Sequence, residues 1–208
     1  DLDRFTYKPI TVNQLSPKVN NEKKKTRFLL ISRMLWDKGI GEYVKAARFL
    51  TRRYPRSEFC MIGFLDFQNP EAISEAQINE WISEGIVQNL GVINDVRPEI
   101  VKADCVVLPS RFREGTPRSL LEAAAMGRPI ITTNSVGCRE TVDDGISGYL
   151  CIPSDSIDLS KKMEQIIQLN DTQRYEMGRC GREKMETRFD EQIVVQKYLE
   201  VISRNLCL

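Results

Sequence analysis

Short apolar runs alternate along this chain with longer stretches whose apolar residues recur at helical spacing, the pattern of an α/β domain built on a parallel sheet. Six runs read as strands: RFLLIS from Arg27, EFCMIG from Glu58, IVQNLG from Ile86, CVVLP from Cys105, PIITT from Pro129 and GYLC from Gly148. Helical stretches lie between them. The first, Ile40 to Arg53, places Ile40, Val44 and Ala47 on one stripe beside Tyr43 and Leu50, while Arg48, Arg52 and Arg53 can face water. It predicts a helix that covers one face of the sheet. After the last strand three helices are expected, starting near Asp155, Asp171 and Asp190, each with Asp or Ser placed to cap it. Residues 1–25 are polar and punctuated by Pro9, Pro17 and Lys23-Lys24-Lys25, and they read as a lead-in or linker.

Composition narrows the chemistry. A chain of 208 residues suits one globular domain, or one plus a tail. Thirty basic side chains against twenty-nine acidic ones leave a net charge of +1, so no broad field is available to hold nucleic acid or an anionic bilayer. Any polyanion site must be local. The chain has no histidine, which excludes His-based metal sites and every scheme that uses imidazole as general base. The six cysteines, Cys60, Cys105, Cys138, Cys151, Cys180 and Cys207, are scattered without a CxxC pair, several of them in apolar runs that suit buried free thiols. No run approaches the length of a membrane span, and the expected setting is a reducing cytoplasm.

The strand pattern also locates a crevice. In the common doubly wound order 3-2-1-4-5-6, the first and fourth strands are neighbours and ligands bind where the chain reverses direction between them. The loop after the first strand is RMLWDKGIG, Arg33 to Gly41, and the loop after the fourth is SRFREGTP, Ser110 to Pro117. Both would face that crevice. Thr116 suits an N-cap and Pro117 the first helical position, so free amides and the positive end of a helix would point at the ligand. Arg33 and Lys38 add two cations, and Gly39 and Gly41 would let the backbone approach closely. A pyrophosphate fits this arrangement.

These residues also resemble a known family, the retaining family 4 glycosyltransferases with the GT-B fold, and specifically their C-terminal, donor-binding domain. The resemblance is carried by Arg33 and Lys38 with Gly39, by the pair Glu114 and Glu122 spaced as E-x7-E, by the segments EGTP, LEAAAMGRPIITT and GCRE, and by the ending VDDGISGYL. It implies a Rossmann-like parallel sheet of about six strands with helices on both faces, one half of a GT-B enzyme. It implies that Glu122 holds the ribose of a nucleotide-diphospho-sugar, that Glu114 with Gly115, Thr116 and Pro117 contacts the sugar and diphosphate, and that Arg33 and Lys38 carry the leaving diphosphate. The sequence leaves uracil, guanine and adenine open as the base, and UDP is the family-weighted nucleotide. No cofactor or metal is implied. The fuller string looks like bacterial transferases that act on lipid-linked or polysaccharide acceptors at the inner face of the membrane.

A complete enzyme of this kind has an N-terminal Rossmann-like domain that holds the acceptor, and nothing in the chain resembles it. Residues 26–188 are therefore expected to bind the nucleotide sugar, and residues 189–208 to form a helix that packs toward the N-terminal domain. Simpler accounts compete at several positions. Glu122 stands one helical turn from Arg118, the spacing of an ordinary surface pair. Arg139 and Glu140 either line the nucleotide pocket or form a structural ion pair. Trp36 either packs on the first helix or shields the crevice. Asp1-Leu2-Asp3 mimics a metal-binding DxD motif, but at a chain end it reads as chance. The rival to an enzyme is a non-catalytic nucleotide-sugar-binding or regulatory module.

Overall fold

The computed structural model describes residues 2–6 and 25–206, so most of the lead-in expected over residues 1–25, and Cys207 with it, lies outside the described residues. Six parallel strands form one sheet in the order β3-β2-β1-β4-β5-β6. They are β1 (Arg27–Ile31), β2 (Glu58–Ile62), β3 (Gln88–Asn89), β4 (Cys105–Leu108), β5 (Ile130–Thr133) and β6 (Gly148–Cys151). At the centre, Phe28 of β1 pairs with Phe59 on one side and with Cys105 on the other. The predicted strand from Ile86 shortens to two residues, Gln88 and Asn89, because both are exposed at the sheet edge and only β2 offers a partner.

Helices cover both faces, as strands buried on two sides require. Alternation along β1 divides the core: Phe28 and Leu30 enter one apolar cluster, Leu29 the other. The first cluster receives α1 (Ile40–Arg53), α2 (Glu75–Ser83) and α5 (Ser156–Gln168), through side chains such as Tyr43, Trp81 and Met163. The second receives α3 (Arg97–Lys102), α4 (Arg118–Ala125) and α6 (Asp171–Arg188), through Ile100, Leu120 and Met185. Two of the expected helix starts are set by side-chain caps: Asp155 accepts from the amides of Ile157 and Asp158, and at the next helix Asn170, in place of the expected Asp or Ser, forms a capping box with Gln173. A last helix, α7 (Glu191–Leu206), leaves Val195, Tyr198, Leu199 and Ile202 exposed.

Two close approaches decide how the layers meet. At Gly178 of α6 a Cβ would fall 1.9 Å from the Gly127 carbonyl oxygen, so glycine lets α6 touch the end of α4. Arg182 of α6 donates to the carbonyls of Ala125 and Phe5, tying residues 2–6 to the same corner, where Leu2 and Phe5 join the second apolar cluster. Cys60, Cys105, Cys138 and Cys151 are buried free thiols, and burial pushes the Cys151 thiol up to about 12. Such burial suppresses the thiolate, which fits packing rather than chemistry. Among the described residues no helix is long and apolar enough to cross a membrane.

Candidate functional site

The observed strand order makes β1 and β4 neighbours, and the loops leaving their carboxyl ends enclose a cavity of about 720 Å³. That volume lies in the range of small-molecule sites. Its walls include Arg33 and Lys38 after β1, Phe64 after β2, and Glu114 through Ser119 after β4. Six of the predicted residues, Arg33, Lys38, Glu114, Gly115, Thr116 and Pro117, thus share one crevice. Ile31, Ser32 and Leu108 complete the wall, and no motif in the sequence singles them out.

Lys38 and Glu114 meet directly. The ammonium Nζ lies 2.8 Å from Glu114 Oε1, with the two side chains 13 % and 14 % exposed. The contact is an ion pair without the alignment of a hydrogen bond, and among the described residues Oε1 has no hydrogen-bond partner. Arg33 is more open and pairs with Asp66 at 3.1 Å. The turn that carries Lys38 is a single 3-10 turn, Trp36–Lys38, fastened from across the sheet. The Asp37 carbonyl accepts from the Ser110 hydroxyl at 3.2 Å and from the Arg111 amide at 2.9 Å. The Ser110 carbonyl in turn accepts from the hydroxyl of Thr133 on β5, which also meets Ser135. Ser110 and Thr133 are fully buried, so this relay joins β5, β4 and the Lys38 turn inside the protein.

Helix α4 starts one residue later than expected. Pro117, not Thr116, occupies the cap position, and no side chain caps the first turn. An extended Pro117 with ψ near 122° ends the loop, leaving Thr116 exposed. The amides of Arg118 and Ser119 have no acceptor within the helix, and both residues line the cavity. Their positive helix end is open to an anion.

The glycines serve a different purpose from the one expected. Gly39 has φ 74° and sits against Pro109, where a Cβ would lie 2.0 Å from the Pro109 carbonyl oxygen. At Gly41 a Cβ would lie 2.9 Å from the Trp36 ring. Both make internal packing possible, and neither lines the cavity. Trp36 therefore packs on α1, with its edge against Trp81. Gly115 is the open one, since a Cβ placed there would meet nothing within 4 Å.

Glu122 follows Arg118 by one helical turn and is not among the residues that line the cavity. Half-burial raises its pKa, against the opposing influence of Arg118 and Arg4. No direct ion pair ties it to Arg118, so the simple surface-pair account is not what the geometry displays. Arg139 and Glu140 do form an ion pair, at 3.2 Å, and Glu140 also accepts from the Gly137 amide at 2.6 Å. They brace the loop after β5 and are absent from the cavity wall. Among the described residues no group of three or more acid or cysteine side chains is arranged to hold a metal ion.

Residues 25–169 match the family described as Glycosyl transferases group 1. The chain belongs to that family. Among relatives of this group 1 glycosyltransferase domain is the N,N'-diacetylbacillosaminyl-diphospho-undecaprenol alpha-1,3-N-acetylgalactosaminyltransferase of Campylobacter jejuni. It is 30 % identical over 184 residues, which make up 88 % of this chain and 46 % of the relative. Another is the amylovoran biosynthesis glycosyltransferase AmsK of Erwinia amylovora, 26 % identical over 86 % of this chain and 44 % of its own length. The chain thus spans about half the length of these curated relatives. In structure it resembles Anabaena HepE, solved in complex with UDP, with a TM-score of 0.80 and 22 % identity over 98 % of this chain and 55 % of that one. It also resembles the C-terminal domain of a group 1 glycosyltransferase from Francisella tularensis, with a TM-score of 0.70 and 24 % identity over 91 % of this chain and 97 % of that one. At these identities the structures bear on the fold, and they agree with the GT-B half expected from the sequence.

Proposed function

We propose that this chain is the donor-binding half of a retaining glycosyltransferase, which moves a hexose or N-acetylhexosamine from a UDP-linked donor to a glycan or lipid-linked acceptor. The observation that carries the reading is the single crevice in which Lys38, Arg33 and the uncapped start of α4 face Glu114. Three sources of positive charge suit the two phosphates of a nucleotide diphosphate, and a carboxylate beside them suits the hydroxyls of the attached sugar.

Each residue then has a task. Lys38, Arg33 and the amides of Arg118 and Ser119 stabilise negative charge as it gathers on the leaving diphosphate. Glu114 accepts hydrogen bonds from the sugar. Glu122, about 6 Å further along the helix axis than Arg118, takes the ribose hydroxyls. The loop from Phe64 approaches the base. The acceptor's proton passes to the leaving phosphate oxygen on the same face of the sugar, which accounts for retention, and a chain without histidine is compatible with that route.

UDP is favoured because HepE was solved with UDP and with UDP and glucose. A lipid-linked acceptor is favoured by the diphospho-undecaprenol in the Campylobacter relative's name. Relatives about twice as long support a second domain that binds the acceptor and completes the site, in a cytoplasmic enzyme working against the membrane's inner face. Because protein groups already supply the positive charge, donor binding is proposed to need no divalent ion. Calorimetry across a panel of nucleotide sugars, with and without EDTA, tests the reading. A UDP-sugar should bind best, with affinity within about twofold in the two conditions. Failure of all nucleotide sugars to bind, or a large loss on chelation, would contradict it.

A further inference from the structure

The ion pair between Lys38 and Glu114 sets up a competition inside the crevice. Resting on the nucleotide-sugar reading, we propose that Glu114 makes the site discriminate between donor and product. It favours a nucleotide that carries a sugar and disfavours the nucleoside diphosphate left after transfer.

Lys38 Nζ lies 2.8 Å from Glu114 Oε1, and that oxygen is buried with no aligned hydrogen bond. Lys38 is the cation in direct contact with it. A diphosphate that engages Lys38 draws this cation toward itself and places two anions side by side in a partly desolvated crevice. The carboxylate must then find new donors or stand uncompensated.

Neither partner's backbone is free to retreat. The Lys38 turn is held through the Asp37 carbonyl by Ser110 and Arg111, and Gly39 behind it is pressed against Pro109. The Glu114 amide donates to the Val136 carbonyl at 3.3 Å. Beneath it, a Cβ on Gly137 would fall 2.1 Å from the Glu114 carbonyl oxygen, so the two loops are packed with no room for a methyl group. Glu114 therefore stays at the crevice when Lys38 changes partner.

A nucleotide sugar resolves the conflict, because its hexose presents O–H donors to the carboxylate while its diphosphate takes the lysine. UDP or inorganic pyrophosphate takes the lysine and returns nothing to Glu114. The same pair thus helps retain donor and expel product.

The test is calorimetric titration of the parent chain and Glu114→Gln with UDP, inorganic pyrophosphate, uridine and the UDP-hexose that binds best. Glu114→Gln should strengthen UDP and pyrophosphate by about fivefold or more, leave uridine within about twofold, and reduce the preference for UDP-hexose over UDP. If that variant fails to fold, Glu114→Asp, one methylene shorter, tests the same contact and should shift UDP in the same direction. UDP bound by the parent and no more tightly by the variant would overturn the inference and leave the nucleotide-sugar reading standing. UDP bound by neither form, with pyrophosphate strengthened in the variant, would overturn the nucleotide reading and the donor-product discrimination built on it. Binding of neither ligand to either form would overturn both.

Discussion

Glu122, proposed to hold the ribose, has a side chain that opposes the stability of its own domain. Its half-buried carboxyl has a raised pKa, chiefly from desolvation, so protons bind it more tightly in the folded protein than in the unfolded chain. For a raised pKa, the contribution to stability is complete below the unfolded value and is lost as pH rises through the folded value. Glu122→Gln, which cannot ionise, should therefore raise the melting temperature by about 1 to 2 °C at neutral pH. The gain should vanish as pH falls below the carboxylate range. UDP affinity should drop about tenfold, the cost of losing a charged acceptor from ligand hydroxyls. Melting curves across pH and calorimetry with UDP check both halves; an unchanged UDP affinity would remove Glu122 from the site. At this scale the sequence reveals types better than partners. It identifies Lys38 and Glu114 as crevice residues, since the topology brings their loops together, but not their contact, which depends on side-chain reach across two loops distant in the chain. It marks Gly39 and Gly41 as places of close approach, yet a glycine does not tell what approaches, and here it is Pro109 and Trp36.

At the scale of elements, periodicity is a good guide where an element is buried on a definite face. Helix α1 runs over Ile40–Arg53, the bounds expected from its apolar stripe. The strand order follows the doubly wound plan, because short parallel strands joined by helices have few other right-handed solutions. Periodicity is a poorer guide at the edge, where β3 lacks a second neighbour, and at the start of α4, where a cap depends on one backbone angle. The relay from Thr133 through Ser110 to the Asp37 carbonyl is not legible at all, since Thr133 reads as an ordinary β-former and Ser110 as an ordinary loop residue. Thr133→Val keeps the shape but removes the donor to a buried carbonyl, at a cost of about 1 to 3 kcal/mol. Urea unfolding should report that loss. UDP binding should weaken more than uridine binding, because the relay holds the turn that carries Lys38. Thr133→Ser should restore both, and equal losses for UDP and uridine would show that the relay serves stability alone.

At the scale of the whole molecule, two loops at the carboxyl ends of neighbouring strands are proposed to form one diphosphate site. A nearly balanced net charge is compatible with such a site, because three positive elements converge locally rather than through any general field. Its relatives are about twice as long, so full turnover is expected only where a second domain supplies the acceptor, whereas donor binding should belong to this chain by itself. The direct test is calorimetry of the parent chain and Lys38→Ala with UDP and with uridine. Lys38→Ala should weaken UDP by about tenfold or more while uridine changes by less than about twofold, since a charge-assisted phosphate contact is lost and the nucleoside contacts remain. Equal losses for the two ligands would show that Lys38 does not touch phosphate, and would contradict the crevice as the diphosphate site.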